Sequence, residues 1–458
     1  MAIATINPAT GELLQSFTPH TPEQVEELLA AAHAAFAELR TTTYAQRAEW
    51  MRRAADLMEA DADEVARLVT LEMGKTLPTA QYEVAKSIRG MRWYADHAEE
   101  YLADEQPAAP GDVGASAIAV RYQPLGVVLA VMPWNYPHWQ VVRFAAPALM
   151  AGNTALLKHA SNVPQSALYL GGLFVRAGFP EGSFATLLVE GAAVTPLLGD
   201  RRVRAVTLTG SVAAGSQVAG EAGKHIKKAV LELGGADAFV VMPSADLDKA
   251  VPAAVNGRIQ NTGQSCIASK RYYVHEDVYD EFVDRFTAGM AAVKTGDPFD
   301  AGTDIGPMAT ERGRADAHEL VEDAVAKGAT VLTGGVIPDG PGFFYPATVL
   351  ADVTPDMRIF SEECFGPVAV VWPVSGVDEA IERANDSDFG LSSSVWTNDE
   401  AEVAALTRGI DAGGVFVNGN TASFPQVPFG GVKYSGYGRE LSAQGIREFT
   451  NLKTVWQA

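Results

Sequence analysis

The sequence has almost no cysteine: Cys266 and Cys364 are its only two in 458 residues. A disulfide framework is therefore excluded as a source of stability, and a reducing compartment would keep both as thiols. Basic side chains are scarce too, 35 Lys and Arg against 56 Asp and Glu, which leaves a net charge of −21. Such a field repels phosphate backbones and anionic lipid, so neither a nucleic-acid partner nor a membrane partner is expected. Long apolar runs are missing; the best, over 126–132, falls well short of the roughly 18 residues that span a bilayer. The opening MAIATINPATGELL has no basic stretch followed by an apolar core, the pattern of a secretion signal, and a cytoplasmic location is expected. The eight histidines are scattered and none falls in an H-E-x-x-H spacing, so no metal is expected. No G-x-G-x-x-G follows a strand-like segment. Gly74-Lys75-Thr76 looks like the tail of a P-loop, but Val69 stands where that motif needs its first glycine.

What is present is a large apolar fraction, 47% hydrophobic against 20% charged, the balance of a globular protein. A chain of 458 residues exceeds the roughly 250–300 at which single cores stop growing, so two or more domains are expected. Apolar residues at three-and-four spacing predict helices over 23–39 and 44–59, with Thr21-Pro22-Glu23 as a start signal. From residue 126 the texture changes to short apolar runs, over 126–132, 154–158, 184–189, 205–209 and 230–233, with helical segments such as 165–177 and 211–223 between them. That alternation predicts an α/β fold with a parallel, doubly wound sheet. A second alternating region, with strand-like 238–242, 272–275, 330–332 and 368–374 and a helix near 277–293, reads as a separate α/β domain.

Three constellations suit chemistry. In Asn261-Thr262-Gly263-Gln264-Ser265-Cys266, turn-forming residues lead into a cysteine and would display its thiol on a loop. Alone, such a cysteine reads more often as a small buried hydrophobe. In Leu231-Glu232-Leu233-Gly234-Gly235 a carboxylate interrupts an apolar strand. Half burial would raise its pKa and suit it to activating water, against a plainer reading as a helix cap. In Met132-Pro133-Trp134-Asn135-Tyr136-Pro137 an amide is held rigid at a strand end, a good oxyanion donor. Phosphate handling falls to Thr209-Gly210-Ser211, which ends a strand and opens a helix with Gly215 one turn in. Helix N-terminal amides bind pyrophosphate without the full glycine fingerprint.

Together these segments resemble the aldehyde dehydrogenase superfamily, in most detail its bacterial succinate-semialdehyde dehydrogenase branch. The likeness runs nearly end to end, through ATINPATGE, PWNYP, LLKHA, TLTGS, LELGG, NTGQSC, EECFGPV and PFGGVKYSGYGRE. It implies Cys266 as nucleophile, Asn135 with the Cys266 backbone N–H as oxyanion hole, and Glu232 as general base. It implies cofactor contacts from Trp134, Lys158, Ser161, Gly210, Ser211, Gly215, Leu233, Glu363 and Phe365, with Glu363 on the nicotinamide ribose and Phe365 beside the ring. Cys364 matches no catalytic position and reads as a buried structural thiol. The implied organisation is a Rossmann-like dinucleotide-binding domain over 1–104 and 123–233, a catalytic α/β domain over 234–434, and a small β oligomerisation arm and bridge over 105–122 and 435–458. Strands at 116–122 and 451–456 would build that arm, giving a homodimer or homotetramer.

In this family a Glu three residues after the strand-end lysine favours NAD by binding the 2′-hydroxyl. Here that place is Ser161, whose hydroxyl can donate to a 2′-phosphate neutralised by Lys158, so NADP is expected, with NAD as a second cofactor. His159 stands where proline is common. A substrate with a distal carboxylate needs a cation at the tunnel mouth. Arg143 stands where the branch carries one arginine, and Gln260 stands at the usual place of a second. Arg143, Trp139, Gln140, Gln260 and Ser265 form the expected substrate pocket, with Arg258 near; a structural salt bridge is the competing reading of Arg143. The reaction implied is oxidation of an aldehyde, succinate semialdehyde above others, through a thiohemiacetal and thioester on Cys266. The alternatives are another small or medium aldehyde, acyl transfer to coenzyme A, a thiol hydrolase, and a catalytically silent binding or structural relative.

Overall fold

The computed structural model describes residues 3–458. Its first helices begin where side chains satisfy their orphan amides. Thr21 and Thr43 accept from the amides of Gln24 and Gln46, whose side chains bond back, so Pro22–Leu39 and Tyr44–Ala60 start on complete capping boxes. Helices Ala62–Met73 and Leu77–Tyr101 follow, and the second packs on Tyr44–Ala60 and on Trp139–Ala151.

Five parallel strands of the first sheet lie in the order Lys228–Glu232, Val203–Thr209, Val127–Met132, Thr154–His159, Phe184–Thr186. The chain lays down Val127–Met132 first, winds outward to Phe184–Thr186, then returns to build the other side. Alternate residues of one strand feed two cores: Val128, Ala130 and Met132 pack with the helices Tyr44–Ala60, Leu77–Tyr101 and Trp139–Ala151, while Val127 and Leu129 join Leu29, Leu197 and Val218. This is the doubly wound arrangement expected. Its topological switch point lies between Val127–Met132 and Val203–Thr209, and ligands of such sheets bind beyond the carboxyl ends of the strands there.

The second sheet has seven strands, in the order Thr330–Thr333, Thr348–Ala351, Val368–Val374, Arg271–His275, Ala238–Val241, Ser392–Trp396, Gly414–Val417, all parallel but the first. Residues 435–458 contribute to two sheets. Gly436–Tyr437 adds an antiparallel edge to the first sheet beside Lys228–Glu232, and Thr450–Gln457 pairs antiparallel with Ala117–Pro124 along its whole length.

Candidate active site

The cysteine loop is built by strain held in place on both sides. After helix Leu247–Ile259 and Gln260 come three consecutive left-handed residues, Asn261 (φ 55°), Thr262 (φ 57°) and Gly263 (φ 72°). Only the third is glycine, and there a Cβ would lie 2.3 Å from the carbonyl oxygen of Gly366, so the loop presses on the Glu363–Gly366 segment because residue 263 has no side chain. Arg258, fully buried, donates to the carbonyl of Gly263 at 2.8 Å; it braces the loop and does not line a substrate pocket. Two non-glycine residues at positive φ need such support from their surroundings.

That loop puts Cys266 at the junction of two cavities. One, about 790 Å³, is walled by the helices Leu77–Tyr101 and Trp139–Ala151; the other, about 260 Å³, opens at the switch point of the first sheet. Cys266 and Gln140 line both. Burial pushes the Cys266 thiol up to about 12, with Arg143 and Lys270 opposing and Glu363 and Asp237 reinforcing, so at rest the sulfur is protonated. Asn135 shares the smaller cavity. Its Nδ2 donates to the carbonyl of Gln264 at 3.0 Å, leaving the second amide hydrogen to serve a developing oxyanion.

Glu232 ends its strand beside a buried ion pair of Arg143 and Glu440. Neither of its carboxyl oxygens has a hydrogen-bond partner. Burial and then the charge of Glu440 raise its pKa well above the carboxylate range, with Arg143 and Arg439 opposing. Glu440 is raised by burial and held back by Arg143. Of the two carboxyls, Glu440 has the closer cation in Arg143, and Glu232 is the harder to ionise.

Arg143 lines the larger cavity, as expected, and is at the same time held in the salt bridge that was its competing reading. Arg143 and Glu440 are 3% and 4% exposed, the guanidinium lies over the Phe429 ring at 4.8 Å, and its charge is spent on Glu440. The reason is long-range packing: helix Trp139–Ala151 is wholly buried, and Glu440 arrives from the far end of the chain. Trp139, Gln140, Gln260 and Ser265 line the larger cavity with Arg143, Trp139 with its Nε1 donating to Ser423 Oγ at 2.9 Å.

The smaller cavity gathers Trp134, Gly210, Ser211, Leu233, Glu363 and Phe365, with Phe365 edge-on to Trp134 at 5.8 Å. Ser211 caps helix Val212–Lys224 through the amide of Ala214, leaving the first helical amides aimed outward from the strand end. At Gly215 a Cβ would meet Leu233 at 2.5 Å, so the missing side chain lets this helix sit against the strand end. The buried Oδ1 of Asn135, a residue that lines the same cavity, has no partner. Free helix amides and an orphaned polar atom fit a dinucleotide's phosphates and polar head. Lys158 and Ser161 lie half-buried at the end of strand Thr154–His159, outside both cavities. Burial lowers the Lys158 ammonium, and Glu190 opposes that. His159 closes a link the sequence did not disclose: its Nε2 bonds the carbonyl of Pro137 at 2.9 Å and its Nδ1 accepts from the Ala160 amide, tying this strand end to the Asn135 loop. Cys364 is buried, its thiol pushed up to about 11 by burial.

Lys270 was not anticipated. Its ammonium donates to the carbonyls of Ser265, Cys266 and Ala268 and pairs with Glu363 at 3.3 Å. The only signal was a lysine standing directly before the buried strand Arg271–His275. Among the described residues there is no group of three or more side chains that could hold a metal ion, and no helix long and apolar enough to cross a membrane.

The model of the aldehyde dehydrogenase family matches residues 1–455. The chain is 66% identical over 456 residues to an aldehyde dehydrogenase of Paenarthrobacter nicotinovorans, covering 100% of both chains. It is 59% identical over 458 residues to an NADP(+) succinate-semialdehyde dehydrogenase of Mycobacterium tuberculosis, again covering 100% of both. The structure of succinic semialdehyde dehydrogenase from Streptococcus pyogenes, in complex with NADP+, superposes with a TM-score of 0.96 at 36% identity, covering 99% of each chain.

Proposed function

Because the chain belongs to the aldehyde dehydrogenase family, we propose that it oxidises succinate semialdehyde to succinate with NADP, and with NAD as a second cofactor, through a thioester on Cys266. The observation that carries this reading is the double exposure of Cys266, to a cavity of about 790 Å³ and to a second cavity at the switch point of the first sheet.

In this reading, Cys266 first loses its proton to solvent in the adjoining cavity and attacks the aldehyde carbon as the thiolate, and Asn135 and the Cys266 backbone N–H hold the oxyanion. Helix Val212–Lys224, Lys158, Ser161, Glu363 and Phe365 would hold the dinucleotide, whose nicotinamide supplies a hydride acceptor when bound. Once it has released its own proton, Glu232 takes a proton from the water that hydrolyses the thioester; two unpartnered oxygens and a raised pKa give the ionised carboxylate the freedom and basicity for that step. Coenzyme A transfer is disfavoured by this water-activating carboxylate. A silent relative is disfavoured by Cys266, Asn135, Glu232 and Lys158 all being in place.

The enzyme is proposed to act in the cytoplasm, where Cys266 stays reduced. It is proposed to be a homodimer or homotetramer through the arm Ala117–Pro124 and Thr450–Gln457, whose exposed Leu452, Val455 and Trp456 support pairing with a second copy. The division into a dinucleotide domain, a catalytic domain and an arm is proposed on the same footing, supported by the two large sheets and the separate two-stranded one. An aldehyde panel run with each dinucleotide, following absorbance of the reduced product, tests the function. Succinate semialdehyde with NADP should give the highest kcat/KM; an equal or higher value for butanal would overturn the substrate.

A further inference from the structure

Gly74-Lys75-Thr76, the look-alike of a P-loop tail, has a different use in the fold. Helix Ala62–Met73 stops at Gly74, whose φ of 85° turns the chain, and a Cβ there would lie 3.0 Å from the carbonyl oxygen of Pro307. The turn sends Lys75 inward. Its side chain is fully buried and ion-paired with Glu83, in the second turn of helix Leu77–Tyr101.

Both members of this pair hold the segment that carries Asn135. Glu83 Oε1 accepts from the amides of His138 and Trp139, at 2.8 and 3.0 Å. These amides open the wholly buried helix Trp139–Ala151, whose N-cap residue His138 makes no side-chain cap bond, so a carboxylate from another helix serves as the cap. Lys75 Nζ lies 4.0 Å from the centroid of the Tyr136 ring, close enough for a desolvated cation to be held by the ring face. The other anchors reach backbone carbonyls: Asn261 Nδ2 donates to that of Asn135 at 2.8 Å, and His159 bonds that of Pro137. Residues 135–139 are thus fixed one by one, and Tyr136, His138 and Trp139 fall to the Lys75–Glu83 pair. The Asn135 amide can point at a developing oxyanion only as accurately as this segment is held, and a misplacement of about 1 Å costs on the order of 100-fold in rate.

We infer that the Lys75–Glu83 ion pair is the positioning element of the oxyanion hole, acting through Tyr136 and the His138 and Trp139 amides on where the Asn135 amide points. The inference rests on the reading of Asn135 as an oxyanion donor. Its test is the single-turnover rate of NADP reduction, with butanal as well as succinate semialdehyde, in the unaltered enzyme, Lys75→Met, Asn135→Ala and the two changes combined. Lys75→Met should slow that rate about 10- to 100-fold on both aldehydes. Asn135→Ala should slow it about 100- to 1,000-fold. The combined variant should be no slower than Asn135→Ala, because an amide that is gone cannot be misaimed. A purely structural role for Lys75 would add its loss in full on top of Asn135→Ala, and that result overturns the inference, as does an unchanged rate in Lys75→Met. An unchanged rate in Asn135→Ala overturns the oxyanion reading beneath it. If Lys75→Met leaves too little folded enzyme, with Glu83 charged and buried alone, Lys75→Met joined to Glu83→Gln decides the case. There the glutamine carbonyl still accepts both amides and no charge is stranded, so the same loss, and the same absence of a further loss with Asn135→Ala, are expected.

Discussion

Lys270 holds the carbonyl of Cys266 at 2.9 Å, and the same ammonium reaches Glu363 at 3.3 Å. One buried cation thus fixes the loop that carries the nucleophile to a residue on the cofactor cavity, so the two halves of the chemistry share an anchor.

Lys270→Met should damage both. It strips the carbonyls of Ser265, Cys266 and Ala268 of their donor and leaves Glu363 without its cation, a cost of about 3 kcal/mol or more. Thermal melting should fall by several degrees and the KM for dinucleotide should rise. An unchanged melting temperature would mean the clamp is ornamental.

The resting state of Cys266 makes a pH prediction. With its pKa pushed up to about 12 by burial, the thiol is protonated below that value and the reactive thiolate grows as pH rises. Iodoacetamide labelling of the cofactor-free enzyme should therefore climb roughly tenfold per pH unit between about 7 and 9. A plateau in that window would show that the sulfur is already ionised.

Arg143 should behave as a structural residue. Arg143→Met leaves Glu440 charged and buried beside Glu232, which costs about 3–5 kcal/mol and should lower the urea midpoint markedly. Loss of activity should extend to butanal and succinate semialdehyde alike. Full stability with a loss confined to the aldehyde-acid would return Arg143 to the role expected from the sequence.

Cofactor choice is testable at Ser161. Ser161→Glu places a carboxylate where a 2′-phosphate is expected beside Lys158, and should raise the KM for NADP about 10- to 100-fold while sparing NAD. Equal effects on both would move the adenosine phosphate elsewhere.

The positions of Cys266, Asn135 and Glu232 were legible because each sits at a strand or helix end marked by its neighbours: glycines around Glu232, prolines around Asn135, a turn before Cys266. The first sheet was legible for a similar reason, since strands such as Val127–Met132 are apolar on both faces. What escaped depends on partners far along the chain. Nothing local foretells that Glu440 consumes the charge of Arg143, or that Lys86 on an ordinary amphipathic helix meets Ser423 and Trp139. Strand Ser392–Trp396 was missed because its sequence, SSSVW, is mostly polar; it is nonetheless wholly buried, between Ala238–Val241 and Gly414–Val417. Helix Trp139–Ala151 was hidden by Pro147 and by the proline-rich segment before it.

The most direct measurement of the central claim is rapid mixing of the Glu232→Gln variant with dinucleotide and succinate semialdehyde, followed by peptide mass spectrometry. Without its water-activating carboxylate the enzyme should reduce about one equivalent of dinucleotide per active site in a burst and then stall, with the succinyl group on the Cys266 peptide. Steady turnover without a burst, or an acyl group on any other residue, would contradict the account.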